Sequence, residues 1–357
     1  MSGAALRRAM RVVVVPAPRA EEVRQELHRL GLVDRSLRMA KRGGNVLIPV
    51  TADPPRALLG GGLHLEDADG LAARTAARDP RRELEARLRR YRVPRELAPT
   101  KWERLGDVIV VRLPEAARDY GDRIGFAFAE TFDVRAVVED LSGVHGVFRT
   151  PEVRILWGRG LEVEHLEGSV RYRFDVAKIM FSSGNLPERT SIAGKVRDGD
   201  VVVDLFAGIG YFSLPIALHA HPARVYACEL NPVAFYYLEE NVRRNRAAGV
   251  LPLLGDCRAT APRGVADVVI MGHFSAADYL DVAFECLRGS GLVLYHELCP
   301  KEQFPQAPVA RLTEGARKRW FDVESVHSRI VKSYAPGIVH AILEARVRRR
   351  PRAPLAP

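Results

Sequence analysis

Val201-Val202-Val203-Asp204-Leu205-Phe206-Ala207-Gly208-Ile209-Gly210-Tyr211 is the stretch on which the fold turns. A short apolar run ends in an acid, two glycines one residue apart follow, and a helical pattern opens near Tyr211. Glycine lets the backbone turn tightly and come close to a ligand, and the start of the next helix offers N–H groups that have no partner within the helix. Four more short apolar runs come later, at residues 224–230, 251–255, 265–271 and 291–296, with helical periodicity between them. Parallel strands need crossover connections, so strands alternating with helices predict a parallel sheet covered on both faces. The fold class is therefore α/β, with a doubly wound, Rossmann-like domain over residues 166–348.

Towards the amino terminus the pattern is weaker. Residues 11–16 include four consecutive valines and read as a buried strand, residues 21–30 space their apolar side chains as a helix does, and residues 45–50 follow a Gly43-Gly44 turn as a second strand. Together they predict a small basic α/β module over residues 1–50. Pro54-Pro55 and Gly60-Gly61-Gly62 then interrupt the pattern, which predicts a linker over 51–100 carrying one basic helix near 80–91. Strand-like runs at 108–112, 134–138 and 154–157 around a helix near 127–132 make residues 101–165 an α+β module, so the smaller amino-terminal region is α+β. Residues 349–357 are read as a basic tail.

With 47% hydrophobic and 27% charged residues the chain is globular, not disordered or collagen-like. No apolar run reaches the length of a membrane-spanning helix. The net charge of +10 comes from 54 Lys+Arg against 44 Asp+Glu, and its placement says more than its size. Residues 1–50 hold ten basic and four acidic side chains, and residues 346–352 hold five arginines and no acid, so the two ends account for the excess. A small acidic substrate does not need that distribution, whereas a polyanion lying across the protein makes use of it. Cys228, Cys257, Cys286 and Cys299 form no CxxC pair, so no metal is expected, and a disulfide framework is out of place in so long a chain. Residues 1–10 lack the apolar core of a secretory signal, which points to a reducing, cytoplasmic setting.

Acids recur at the strand ends. Glu229 closes the second run, twenty-five residues after Asp204, and Asp256-Cys257 closes the third. An acid at the end of the second strand can accept hydrogen bonds from both hydroxyls of a ribose, and ligands of open α/β sheets bind at this carboxyl edge. Asp256 can accept from an adenine amino group while the Cys257 N–H donates to the ring. A nicotinamide dinucleotide is disfavoured, because Ser213 stands where GxGxxG has its third glycine.

Asp204 to Gly210, with Glu229 and Asp256, resembles the class I S-adenosylmethionine-dependent enzymes. Phe174-Asp175-Val176-Ala177-Lys178-Ile179-Met180-Phe181-Ser182-Ser183-Gly184-Asn185, continuing to Glu188-Arg189, and the late Val331-Lys332-Ser333-Tyr334-Ala335-Pro336-Gly337 resemble one branch of them. That branch is the wybutosine-synthesis tRNA 4-demethylwyosine(37) aminocarboxypropyltransferase family, whose nearest relative is the tRNA guanine-N1 methyltransferase acting at the same position. The resemblance covers residues 157–347 and, more weakly, 11–50. It implies transfer of the 3-amino-3-carboxypropyl group of S-adenosylmethionine, as co-substrate, to 4-demethylwyosine 3′ of the anticodon of tRNA-Phe, with release of methylthioadenosine. Base-nitrogen methyltransferases carry Asn/Asp-Pro after the fourth strand, whereas this chain has Met271-Gly272-His273-Phe274. The methyltransferase is the alternative reading.

The resemblance also implies a cofactor set of Ser182, Arg189, Asp204, Gly208, Glu229, Asp256 and Cys257. Arg189 would grip the methionine carboxylate by a bidentate pair; a surface ion pair is the alternative. His273 and Lys178 are candidates for the catalytic step or a phosphate contact, and His296 is a further strand-end imidazole. Tyr334 can stack on a base or pack within its loop. Gly143-Val144-His145-Gly146 has the spacing of a KH-type clamp and is read as a plain turn. RNA contact is expected to be spread over arginines and lysines at both ends and near 81–92.

Overall fold

The computed structural model describes residues 10–69, 71–72, 79–145, 150–181 and 183–351. The chain divides into two compact units, Met1–Arg81 and Arg82–Pro357.

In the first unit, β1 (Met10–Pro16), β2 (Ala40–Arg42), β3 (Asn45–Pro49) and β4 (His64–Ala68) form an antiparallel sheet in the order β2-β3-β1-β4. Alternation along β1 divides the two faces. Val13 and Val15 pack with Ile48 against Val23 and Leu27 of α1 (Ala20–Arg29), while Val12 and Val14 pack with Leu47 and Ala68. The module expected to stop at residue 50 therefore continues, because β1 has two edges to satisfy and β4 takes the second. Its sequence, His64-Leu65-Glu66-Asp67-Ala68, hides the strand because its polar members outnumber its apolar ones.

The second unit begins with α2 (Pro80–Arg90) at the unit boundary, followed by β5 (Trp102–Leu105), β6 (Val108–Val111), α3 (Gly121–Phe132), β7 (Ala136–His145) and β8 (Thr150–Gly158). The sheet runs β5-β6-β7-β8, with β6 and β7 parallel across the α3 crossover. Ile109, Val137 and Leu156 pack on Leu84, Leu88, Ile124 and Phe128 of the two helices. Val108, Ala136 and Val138 face the other way, into the cluster that includes Val202, Ile270 and Leu294. The module expected over 101–165 thus shares its core with the doubly wound domain. Gly143 to His145 lie in β7, paired with β8, rather than in a turn, and Gly146 lies outside the described residues.

A hairpin, β9 (Glu162–Glu167) and β10 (Val170–Asp175), leads through α4 (Leu186–Ser191) into the larger sheet. Its strands are β11 (Val201–Asp204), β12 (Arg224–Glu229), β13 (Val250–Leu254), β14 (Ala266–Met271), β15 (Leu287–Pro300), β16 (Phe321–Ala335) and β17 (Ile338–Arg349). Interleaved helices are α5 (Ser213–His219), α6 (Pro232–Arg244), α7 (Cys257–Thr260), α8 (Leu280–Cys286) and α9 (Gln306–Lys318). The order is β13-β12-β11-β14-β15-β17-β16; the first five strands are parallel and β17 runs antiparallel to both neighbours. Val202, Ile270 and Leu294 point to one face, Val203, Val269 and Val293 to the other, where α8 and α9 cover them. Burial on both faces is why these strands read as continuous apolar runs. Among the described residues no helix is long and apolar enough to cross a membrane.

The basic tail expected from residue 349 begins inside the fold. β17 continues to Arg349, the Arg350 N–H donates to Trp320 O at 2.7 Å, and Val347 is buried. Arg348 and Arg350 pair with Glu324 at 3.0 Å and Asp322 at 2.7 Å. Deleting residues 346–352 is therefore expected to lower the unfolding midpoint by about 5–10 °C through loss of ladder bonds and the Val347 contact. Replacing Arg346, Arg348 and Arg350 together by alanine removes only exposed charge and is expected to shift it by about 2 °C or less. Calorimetry on the two variants checks the contrast.

Candidate cofactor and acceptor site

The site is built at the carboxyl edge of β11, β12, β13 and β14. At the end of β11 the chain turns through Gly208 and Gly210, with φ of +58° and +100°. A Cβ on Gly208 would lie 2.7 Å from the Tyr211 ring, and one on Gly210 would lie 2.7 Å from Leu214, so neither position admits a side chain without movement. Tyr211 is fixed in turn, its hydroxyl donating to Met180 O at 2.6 Å.

Glu229 braces this turn. Its Oε2 accepts from the Gly208 N–H at 2.7 Å and its Oε1 from the Asn231 N–H at 2.7 Å, joining the β11 and β12 turns through one carboxylate. Burial pushes the Glu229 carboxyl above its usual range, against the pull of these N–H donors. Each oxygen can accept a further hydrogen bond, which suits a pair of ribose hydroxyls. Beside it Leu230 stands 41% exposed, an apolar surface of the kind a purine covers, and one the acid-centred reading of the sequence passed over.

Asp204 behaves differently from its expected role as a cofactor contact. It is fully buried, so it does not touch a molecule bound in this conformation. Its Oδ2 accepts from the Ser213 hydroxyl at 2.8 Å and its Oδ1 from the Phe206 N–H at 3.3 Å, which ties the strand end to the start of α5. Ser213, noted in the sequence only as the missing third glycine, is the partner that occupies it. Burial pushes the Asp204 carboxyl up to about 7.

Asp256 caps α7, accepting from the Arg258 N–H at 2.8 Å, and the Arg258 guanidinium also bonds its carboxylate, holding its pKa below the usual range. Arg258 lies over the Tyr279 ring at 5.2 Å. Cys257 is buried and its thiol is pushed up to about 12 by burial, so it stays neutral and any contact with a ring passes through its N–H.

Arg189 requires a correction. Its guanidinium fork is closed by Glu167, with Nε to Oε1 at 2.5 Å and Nη2 to Oε2 at 2.6 Å, and it lies over Phe181 at 4.8 Å. A buried bidentate pair holds α4 against the β9–β10 hairpin, and a methionine carboxylate would have to displace Glu167. Ser182 lies outside the described residues. Lys178 is exposed and 3.4 Å from Asp175, a surface pair rather than a group at the strand ends. His273 stacks on Phe206 at 5.3 Å, and its Nδ1 accepts from the Ser275 N–H at 3.2 Å. An imidazole that accepts at Nδ1 keeps its proton on Nε2 when neutral, so this contact sets the tautomer of neutral His273. Gly272 follows β14, and a Cβ there would meet the Phe212 ring at 2.6 Å.

The residues fit S-adenosylmethionine: a glycine cradle that a Cβ would fill, and a ribose-type carboxylate fixed by two backbone donors. Glu229→Ala is expected to weaken S-adenosylmethionine binding by roughly 10–100-fold, through lost charge-assisted hydrogen bonds, with tRNA affinity little changed; titration calorimetry and filter binding check both. Asp204 has its pKa raised by folding, so its contribution to stability is complete below about pH 4 and is lost as pH rises to about 7. In Asp204→Asn, unfolding free energy measured across that window is expected to fall less steeply than in the wild type.

The TRM5/TYW2 methyltransferase domain matches residues 163–324, the TYW2 N-terminal domain 82–161 and the tRNA methyltransferase 5 N-terminal domain 13–58. The chain is 38% identical over 250 residues to the tRNA(Phe) (4-demethylwyosine(37)-C(7)) aminocarboxypropyltransferase of Methanocaldococcus jannaschii, covering 70% of this chain and 98% of that protein. It is 32% identical to the tRNA (guanine(37)-N(1))-methyltransferase Trm5b of Pyrococcus abyssi, covering 94% and 98%. The crystal structure of Pyrococcus horikoshii TYW2 in complex with MeSAdo superposes with a TM-score of 0.68 at 30% identity, covering 76% of this chain and all of that one. With a Rossmann-like sheet, a glycine turn braced by Glu229 and relatives matched over nearly their whole length, the chain belongs to the TRM5/TYW2 family of S-adenosylmethionine-dependent tRNA-modifying enzymes.

Proposed function

We propose that this protein transfers the 3-amino-3-carboxypropyl group of S-adenosylmethionine to 4-demethylwyosine 3′ of the anticodon of tRNA-Phe, in the cytoplasm, as a step of wybutosine-type base synthesis. The observation that carries the reading is the end of β14. Where a base-nitrogen methyltransferase would place an amide or carboxylate to orient the ring nitrogen, this chain has Gly272, and the Phe212 ring lies 2.6 Å from where its Cβ would be. An asparagine at that position would collide with Phe212, so an orienting amide is absent for steric as well as chemical reasons.

S-adenosylmethionine supplies a sulfonium with three electrophilic carbons, and the one held in line with the acceptor is the one displaced. The chain's own contribution is positional. Glu229 and the Gly208 turn hold the nucleoside end, Arg189 with Glu167 fixes α4 against the β9–β10 hairpin, and His273 stacks on Phe206 just past the end of β14. Four buried, unpaired cysteines suit a reducing compartment.

The amino-terminal match to the tRNA methyltransferase 5 domain favours the second reading, guanine-N1 methylation. One experiment separates the two: tRNA is incubated with S-adenosylmethionine labelled in the methionine carboxyl in one sample and in the methyl group in another. Carboxyl label entering tRNA is expected. Label entering only from the methyl group would move the protein to the methyltransferase branch.

A further inference from the structure

Beyond the cofactor turn, the described residues contain an unbroken column of rings running from the glycine loop to the surface. Its foot is Phe212, two residues past Gly210 and seated against Gly272. Phe212 contacts His296 with ring centroids 5.4 Å apart. His296 meets His340 at 5.2 Å, with Nδ1 and Nε2 3.2 Å apart, so one imidazole donates to the other. His340 meets Phe274 edge-on at 5.0 Å, and Phe274 meets Tyr334 edge-on at 5.1 Å. The series ends at the surface: Phe212, His296 and His340 are buried, Phe274 is partly exposed, and Tyr334 is 53% exposed.

Each ring belongs to a different segment. Phe212 precedes α5, His296 lies on β15, His340 on β17, Phe274 follows β14, and Tyr334 is next to last on β16. Register places the top of the column at the functional edge. The β16–β17 turn pairs Ala335 with Ile338, and Ile338 pairs with Pro300 at the carboxyl end of β15. That is the same end of the sheet as Gly208 and Gly272. A buried histidine pair is costly unless its polar atoms are partnered; here His296 Nδ1 and His340 Nε2 partner each other, and the column continues above them through Phe274 and Tyr334.

We propose that Tyr334, steadied by Phe274 and the His340–His296 pair, is the stacking platform for the base that accepts the transferred group. The inference rests on the reading that the acceptor is a tRNA base. An unpaired base is recognised by splaying it from the strand and laying it on an aromatic face. A tricyclic base offers more flat surface than guanine, so an exposed ring held edge-on from below discriminates by area rather than by hydrogen bonding. The column sets the height of that ring relative to the glycine loop because every link is fixed by ring contact. Tyr334 is thus a substrate-binding residue, and Phe274, His340 and His296 are positioning residues.

The test uses the full chain and tRNA carrying the tricyclic base, with Tyr334→Ala and Tyr334→Phe. Loss of one base–aromatic stack is expected to raise KM for this tRNA roughly 10–100-fold in Tyr334→Ala. The affinity for S-adenosylmethionine and the circular dichroism spectrum should stay at wild-type values. Tyr334→Phe keeps the ring and should stay within about 3-fold of wild type, well inside the stacking loss. Wild-type KM in Tyr334→Ala overturns the platform, and so does equal impairment of Tyr334→Phe, which would assign the effect to the hydroxyl. Absence of any transfer of carboxyl label by the wild-type protein overturns the underlying acceptor reading instead, so the two failures are distinct.

Discussion

One carboxylate holds the cofactor end of this protein together. Glu229 accepts from Gly208 on one turn and from Asn231 on the next, and the turns it joins arise from adjacent parallel strands, β11 and β12. Without it, two backbone N–H groups at the heart of the site would lack partners, at about 1–3 kcal/mol for each buried one. The glycines are a consequence of that brace. For the Gly208 N–H to reach Glu229, the turn takes a positive φ and passes close to Tyr211. Asp204 supports the same loop from beneath through Ser213 and Phe206. The two strand-end acids therefore do different work here: Glu229 joins two turns at the edge of the sheet, and Asp204 locks the loop from within.

The strand-end residues were legible because they obey local rules. A parallel strand ends in an acid, a glycine or a helix cap, and Asp204, Gly208, Glu229 and Asp256 all stand at such ends. What could not be read was who faces whom across the fold. Glu167 lies twenty-two residues before Arg189 on the far side of a hairpin, and nothing in the spacing says that it closes the Arg189 fork. Phe212 meets Gly272 across sixty residues. The strand at His64–Ala68 was missed because its polar residues outnumber its apolar ones, and the linker reading followed from glycines and prolines around it. His273 shows a further limit: residue type suggested only a candidate for the catalytic step, and the Ser275 N–H on Nδ1, which sets its neutral tautomer, is visible only in the structure.

The charge distribution was also sharpened. The count of arginines at the two ends suggested a free basic surface. In the structure many are engaged with acids: Arg11 with Asp53, Arg24 with Glu21, Arg42 with Glu66, Arg348 with Glu324 and Arg350 with Asp322. Such exposed pairs add little to stability, and a phosphate can compete for the same guanidinium. Arg346 is not in an ion pair among the described residues. Electrostatic attraction for RNA thus remains, but as a surface of exchangeable pairs built on folded strands rather than as loose basic ends.

The central claim is that Glu229 braces the glycine turn and receives the ribose of S-adenosylmethionine through the same carboxylate. Residue-resolved amide exchange tests it most directly, following Gly208 and Asn231 in the free protein, with S-adenosylmethionine bound, and in Glu229→Ala. The account predicts protection of both amides in the free protein, stronger protection on binding, and loss of protection at both in the variant while Val202 and Val225 in the strands remain protected. Equal protection of Gly208 and Asn231 in wild type and variant would contradict it.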